Sequence, residues 1–247
     1  MENAGYIIMS RMSAQLRATA VVANNIAGAD TPGFRASRPV FTEQLERARA
    51  PGLPQGMRDL HFASNPATWR DTDQGPIRQT GNPLDLAITG QGYFVVATAQ
   101  GERYTRAGRF SLSAEGDIVD MGGNQLLGVG NRPIRVPPGE TDLTIAADGV
   151  ITGRNGEIGR LTLVRFENEQ GLEAQGDRLF AAPPDAVPIQ LDAPRLVQGA
   201  VEGANVNTIT EMVRLTEEQR FFQIAVRFAE AENERKTNSV DRLLRRR

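Results

Sequence analysis

The chain has no cysteine among its 247 residues. That excludes disulfides, thiol nucleophiles and cysteine-based metal sites, and it fits either redox compartment. Histidine is almost as scarce. His61 is the only one, so a histidine-rich metal site cannot form, and a Ser–His pair would rest on a Pro-rich segment. His61 therefore reads as a surface or packing residue. The single tryptophan, Trp69, reads as a packing anchor between that segment and the region after it. No run of ~18 apolar residues exists, so no membrane insertion is expected. The N-terminus lacks a basic stretch followed by an apolar core, so no cleavable signal peptide is expected. Charge bias is missing too. The formal net charge is −2, which argues against general nucleic-acid binding, because that needs a basic surface. The local exception is Arg242, Arg245, Arg246 and Arg247. They read as a solvated helix end whose cations complement the helix dipole, with a lipid or nucleic-acid contact as the alternative.

What is present is ordinary in amount and unusual in arrangement. Apolar residues make up 40% and charged residues 23% of a chain long enough for one large domain or two modest ones. From about Asn3 to Ala27 the pattern is helical. Tyr6, Met9, Leu16, Ala20, Ala23 and Ala27 form one stripe, with Ser13 filling a step, and Ile8, Met12, Thr19, Val22 and Ile26 form a second. Two adjacent stripes make a wide apolar face. The helix stops at Gly28, and Thr31-Pro32-Gly33 follows. Pro32 presets φ, and Gly33 tolerates the positive φ that a type II turn needs at its third position.

Between Arg35 and Gln79 stand Pro39, Pro51, Pro54, Pro66 and Pro76, which predict extended or irregular chain. A short helical piece around Phe41 to Ala48 is one expectation there. From Leu84 to about Pro194 the period changes to two. Short apolar runs, such as Tyr93 to Val96 and Leu161 to Phe166, are separated by glycine turns such as Gly122-Gly123-Asn124 and Asp148-Gly149. That spacing predicts an antiparallel sandwich or barrel. From Thr208 to about Leu244 a helical pattern returns. Thr208 to Glu211 has capping-box spacing, and Asn207 is a second candidate for the cap. Met212, Leu215, Gln219, Phe222, Val226, Ala229, Asn233, Lys236, Val240 and Leu243 form a heptad seam with polar interruptions. Ile209, Val213, Ile224, Ala225 and Phe228 widen it. Two helices in one chain cannot cover faces this wide, which points to an assembly subunit more than an enzyme.

The fold expectation is therefore a multidomain α+β chain. Residues 1–35 with 200–247 form a discontinuous coiled-coil domain of terminal helices. Residues 36–80 form an extended Pro-rich linker region, and residues 81–199 an all-β antiparallel domain. Motifs that mimic chemistry have plainer readings. Gly90-Gln91-Gly92 lacks the helix and third glycine of a nucleotide loop, and Asp148-Gly149 lacks calcium-ligand spacing. Glu217-Glu218 is a solvated helix face. No catalytic, cofactor or metal site is expected. The candidate subunit-interface residues are Tyr6, Met9, Met12, Leu16, Val22 and Ile26 on the first helix. On the second they are Met212, Leu215, Phe222, Val226, Ala229 and Leu243. Asn24 and Asn25 are either polar-face residues or hydrogen-bond partners across a subunit contact.

Four segments carry a family resemblance. They are Ala23-Asn24-Asn25-Ile26-Ala27 with Thr31-Pro32-Gly33-Phe34; Asp85 to Phe94; Tyr104-Thr105-Arg106-Ala107-Gly108-Arg109-Phe110; and Gly199 to Asn207. In this order they resemble the axial proteins of the bacterial flagellum, the rod and hook family. The resemblance implies a non-enzymatic structural subunit of the basal-body proximal rod, with the distal rod as the alternative and a β-sandwich hydrolase as a remote one. It implies that the terminal helices of many copies stack into a hollow axial tube with β domains outside, which passes torque from rotor to hook. The implied partners are copies of itself, other rod proteins and the flagellar export apparatus. Export to the periplasmic basal body would then need no signal cleavage.

Overall fold

A computed structural model describes residues 2–47, 59–140, 142–176 and 178–244. The fold is α+β: two terminal helices and a large antiparallel β region. It divides into two compact units. One holds residues 1–27, 37–70 and 207–247, and the other residues 28–36 and 71–206.

The first unit contains both helices. Helix α1 spans Glu2–Gly28, and helix α2 spans Thr208–Leu244. At 1.5 Å per residue they are about 40 and 55 Å long. Between them in sequence runs an antiparallel ribbon of two strands, β1 (Ser37–Arg47) and β2 (Asp59–Arg70). Ser37 pairs with Arg70 at one end and Arg47 with Asp59 at the other. The register shifts between Val40 and Thr42, opposite Asn65 and Pro66. Pro66 has no N–H to donate, so a bulge is the natural way past it. The helical piece expected from Phe41 is strand as far as Arg47, and Ala48 lies outside the described residues. Local propensity there yields to pairing with the next strand in the chain, which the sequence does not announce.

The second unit is built on short strands. β3 (Ile77–Gln79) pairs with residues 200–202, and β4 (Leu86–Ile88) pairs with residues 196–198. The largest sheet contains β5 (Tyr93–Thr98), β6 (Gly101–Thr105), β7 (Phe110–Leu112), β8 (Ile118–Asp120) and β9 (Gln125–Gly128). Its path runs from residues 173–174 through 179–181 to β6, β5, β9, β8 and β7. Every pairing described is antiparallel.

β5 shows why the unit closes its own core. Successive side chains point to opposite faces of a strand. Phe94 and Val96 enter a cluster with Leu86, Phe110, Leu126 and Ile151. Tyr93 and Val95 enter a second cluster with Tyr104, Phe166 and Phe180. Edge-to-face aromatic pairs hold both sides, Phe94 on Phe110 at 5.1 Å and Tyr104 on Phe166 at 4.8 Å.

Candidate subunit interface

On α1 the buried stripe is narrow and made of small side chains. Ala14, Ala18, Val22 and Asn25 are buried, at the three- and four-residue steps of one helix face. Two of the predicted contact residues, Val22 and Asn25, lie on it. Met12 and Ile26 flank it half-buried, and Asn24 is exposed. The bulkier candidates face away: Met9 is 68% and Leu16 56% exposed. Tyr6 lies outside the residues whose side chains are described.

Helix α2 begins at an asparagine cap. Asn207 Oδ1 accepts the Thr210 N–H at 3.1 Å, which decides between the two caps considered. Leu215, Phe222, Val226 and Ala229 are half-buried, and Met212 is exposed. Leu243 lies outside the residues whose side chains are described. The outer side of α2 carries Ile209, Val213, Phe221, Ile224 and Phe228, all more than half exposed. Water is a poor neighbour for a row this apolar.

Among the described residues, Gln15 and Asn25 make polar bridges between the helices. Gln15 donates through Nε2 to the Glu218 carboxylate and, at 3.3 Å, to the Glu218 carbonyl. Asn25 Nδ2 donates to Glu211 Oε2 at 3.1 Å. Position rises along α1 as it falls along α2, so the bridged segments run antiparallel. Burial raises the Glu218 pKa, Glu217 adds to the rise, and the bond from Gln15 opposes it.

The other unit has a buried ionic node. Glu202 sits between two arginines: Arg35 Nη2 is 3.2 Å from Oε1, and Arg106 Nη1 is 3.3 Å from Oε2. All three side chains are at most 3% exposed. Further bonds surround them. Arg106 Nη2 donates to the Gly90 carbonyl at 2.6 Å, Gly75 N–H donates to Glu202 Oε1 at 3.1 Å, and Arg35 Nη1 donates to the carbonyls of Thr72 and Asp73. Arg106 also stacks over the Tyr93 ring at 5.6 Å. Burial pulls the Arg106 pKa down, Glu202 opposes that, and Arg35 adds to it. Burial, and next the neighbouring Glu169, hold the Tyr93 phenol far above its ordinary range. Tyr93 donates its hydroxyl to Glu169 Oε2 at 2.9 Å.

The turn after α1 is docked beside this node. The Phe34 N–H donates to the Thr31 carbonyl at 3.2 Å, and Gly33 has φ +72°, as a type II turn requires. The Gly33 N–H donates to the Glu202 carbonyl at 2.8 Å. Asn205 continues the seam. Its Oδ1 accepts the Ala36 N–H at 2.7 Å, and its Nδ2 donates to the carbonyls of Asp71 and Asp73 at 3.0 and 2.9 Å.

Three family descriptions match the chain. "Flagella basal body rod protein" matches residues 6–35, "Flagellar hook protein FlgE/F/G D1 domain" residues 87–153, and "Flagellar basal body rod FlgEFG protein C-terminal" residues 197–238. The flagellar basal-body rod protein FlgF of Caulobacter vibrioides is 33% identical over 98% of this chain and 98% of its own length. The chain belongs to the flagellar basal-body rod family. FlgF of Salmonella typhimurium is 34% identical over 97% of this chain and 98% of its own. FlgG of Agrobacterium fabrum is 33% identical over 88% of this chain and 90% of its own. A rod family is a structural one, and these matches do not favour a hydrolase. Among the described residues, no helix is long and apolar enough to cross a membrane.

Within this rod-family chain, each matched region supplies one member of the ionic node: Arg35, Arg106 and Glu202. Reading the sequence for apolar periodicity misses them. The available signal was charge inside otherwise apolar or glycine-rich segments. Arg35 follows Phe34, Arg106 precedes Ala107-Gly108, and Glu202 lies between Val201 and Gly203.

Proposed function

We propose that the chain is a proximal-rod subunit that polymerises through its terminal helices, with the distal rod as the second reading. Relatives named FlgF align along nearly its whole length, which supports the proximal position. The observation that carries polymerisation is the outer row of α2, where Ile224 is 61% and Phe228 56% exposed. Met9, Leu16, Ala20 and Ala23 offer a second uncovered surface on α1. A bulky row on one helix and a flatter, alanine-rich row on the other are complementary between copies. A contact that joins unlike surfaces leaves each face free for a further copy, and where its rotation does not close a ring, its repetition builds a helical filament. In this reading the terminal helices pair as a coiled coil, and Phe222, Val226 and Ala229 belong to the same contact system. The partners are copies of this chain and neighbouring rod proteins, delivered by the flagellar export apparatus.

The test is the double substitution Ile224→Asp with Phe228→Asp. Exposed positions tolerate such changes within about 0.5 kcal/mol of chain stability. The expected result is normal abundance, an unchanged urea midpoint and lost swimming. Swimming cells with normal basal bodies would overturn the reading.

A further inference from the structure

Asn25 is the least exposed polar side chain among the described residues of α1, at 1%, and the rod reading does not account for it. Both of its N–H donors and its oxygen are engaged. Oδ1 accepts the Ser37 N–H at 2.9 Å. Nδ2 donates to the Ser37 carbonyl at 2.8 Å and to Glu211 Oε2 at 3.1 Å. Ser37 opens β1, so Asn25 holds the first residue of the ribbon as a neighbouring strand would. Glu211 is buried as well, and its other oxygen, Oε1, accepts from Arg214 at 2.7 Å. The sequence left Asn25 open as a partner across a subunit contact. In the structure its hydrogen bonds are spent inside one chain.

We infer that Asn25 and Glu211 form a register lock, a buried amide–carboxylate pair that sets which turn of α2 lies beside the end of α1. The positions one helical turn from Glu211 show why the lock is selective. Leu215 has no acceptor, the Asn207 side chain is committed to the cap of α2, and Thr208 offers a hydroxyl in place of a carboxylate. Arg214, three residues on, offers only donors. Slipping α2 by a turn therefore exchanges the Glu211 carboxylate for a neutral hydroxyl in one direction and for no acceptor in the other, in a dry site where an unpaired donor is costly. Ala14 and Ala18, buried on the same stripe of α1, are too small to discriminate between neighbours. A single buried polar residue is a known way of fixing register between helices. The lock deepens the polymerisation reading, since a neighbour must meet outer rows on α1 and α2 that are held in one alignment.

The absence of native cysteine makes the test clean. Cysteines introduced at Arg17 and Arg220, both exposed, carry spin labels in the purified monomer, and pulsed dipolar spectroscopy reads the distance between α1 and α2. A single narrow distance is expected in the labelled parent. Asn25→Asp sets a carboxylate against Glu211 and should abolish the narrow peak. Glu211→Gln alone keeps an acceptor and should preserve it. The double variant, Asn25→Asp with Glu211→Gln, should recover much of the peak, which is the coupling a lock requires. A broad distribution in the parent, or an unchanged peak in Asn25→Asp, overturns the lock. Loss in Asn25→Asp without recovery in the double variant also overturns it, and leaves Asn25 as an anchor of the ribbon alone. The measurement uses monomers. A narrow parental peak in a chain that never assembles would sink the polymerisation reading and leave the lock standing.

Discussion

In the β unit, Phe94, Val96 and Ile151 are wholly buried, and even the charges of Arg35, Arg106 and Glu202 are taken out of water. On α2, Ile224 and Phe228 stand mostly in it. One unit completes its core within the chain. The other joins its helices through the Gln15–Glu218 and Asn25–Glu211 bridges and leaves Met9, Leu16 and the outer row of α2 exposed. A subunit that must be stable alone and still able to polymerise needs both arrangements. The contrast implies that substitutions in the β unit act on folding of the chain, whereas substitutions on the outer rows of the helices act on assembly.

The sharpest way to break that contrast is Glu202→Ala. It leaves two buried guanidinium groups without their shared carboxylate and removes the acceptor for Gly75 N–H. Breaking a buried ion pair by deleting one partner costs about 3–5 kcal/mol. Urea denaturation of the purified chain should show a large drop in midpoint, with Glu202→Gln milder because an acceptor remains. An unchanged midpoint in Glu202→Ala would mean that the node does not hold the unit together.

A smaller loss is expected from Gly33→Val. The left-handed backbone at φ +72° is poor for a β-branched residue. An added Cβ would also lie 2.5 Å from Ala107 N and from the Arg106 carbonyl carbon. Those are backbone atoms, so the turn itself must move. Strain of this kind costs about 1–3 kcal/mol. Thermal unfolding should show the loss, and amide exchange at Gly33 should rise as its bond to the Glu202 carbonyl weakens. A native-like melt would place the turn's importance elsewhere.

Much of this contrast was legible in the residues. The 3.6-residue pattern gave both helices, the glycine spacing gave the short antiparallel strands, and Thr31-Pro32-Gly33 gave the turn. The inward side of α1 was not legible. Apolar bulk at Met9 and Leu16 reads as a subunit contact face, whereas the positions buried within one chain are Ala14 and Ala18, and no local rule ranks alanine above methionine for that purpose. The ribbon was hidden because prolines read as breaks, although Pro39 and Pro66 both lie within its strands. A two-stranded ribbon has edges where a missing N–H is tolerated. The ionic node was hidden for another reason. Its members are far apart in sequence, and nothing local reveals that two arginines share one glutamate.

The smallest expected effect tests the polar character of the helix contact. Glu218 has a raised pKa, chiefly from burial and then from Glu217. A carboxyl group with a raised pKa binds its proton more tightly in the folded state than in the unfolded chain. Its charged form therefore weakens the folded state at neutral pH. Stability should rise as pH falls through the folded value, and the gain should be complete near the ordinary glutamate value of 4.5. Glu218 is only half-buried, so solvent screening keeps the gain small. Glu218→Gln removes the titrating group and can still accept from Gln15. The variant should match or slightly exceed the parent in thermal stability at pH 7, and its own gain between pH 7 and 5 should be smaller. Comparing the two pH profiles cancels the groups that both proteins share. Superimposable profiles would show that Glu218 is fully solvated in the free chain, and that the bridge to Gln15 plays no part in holding α2 beside α1.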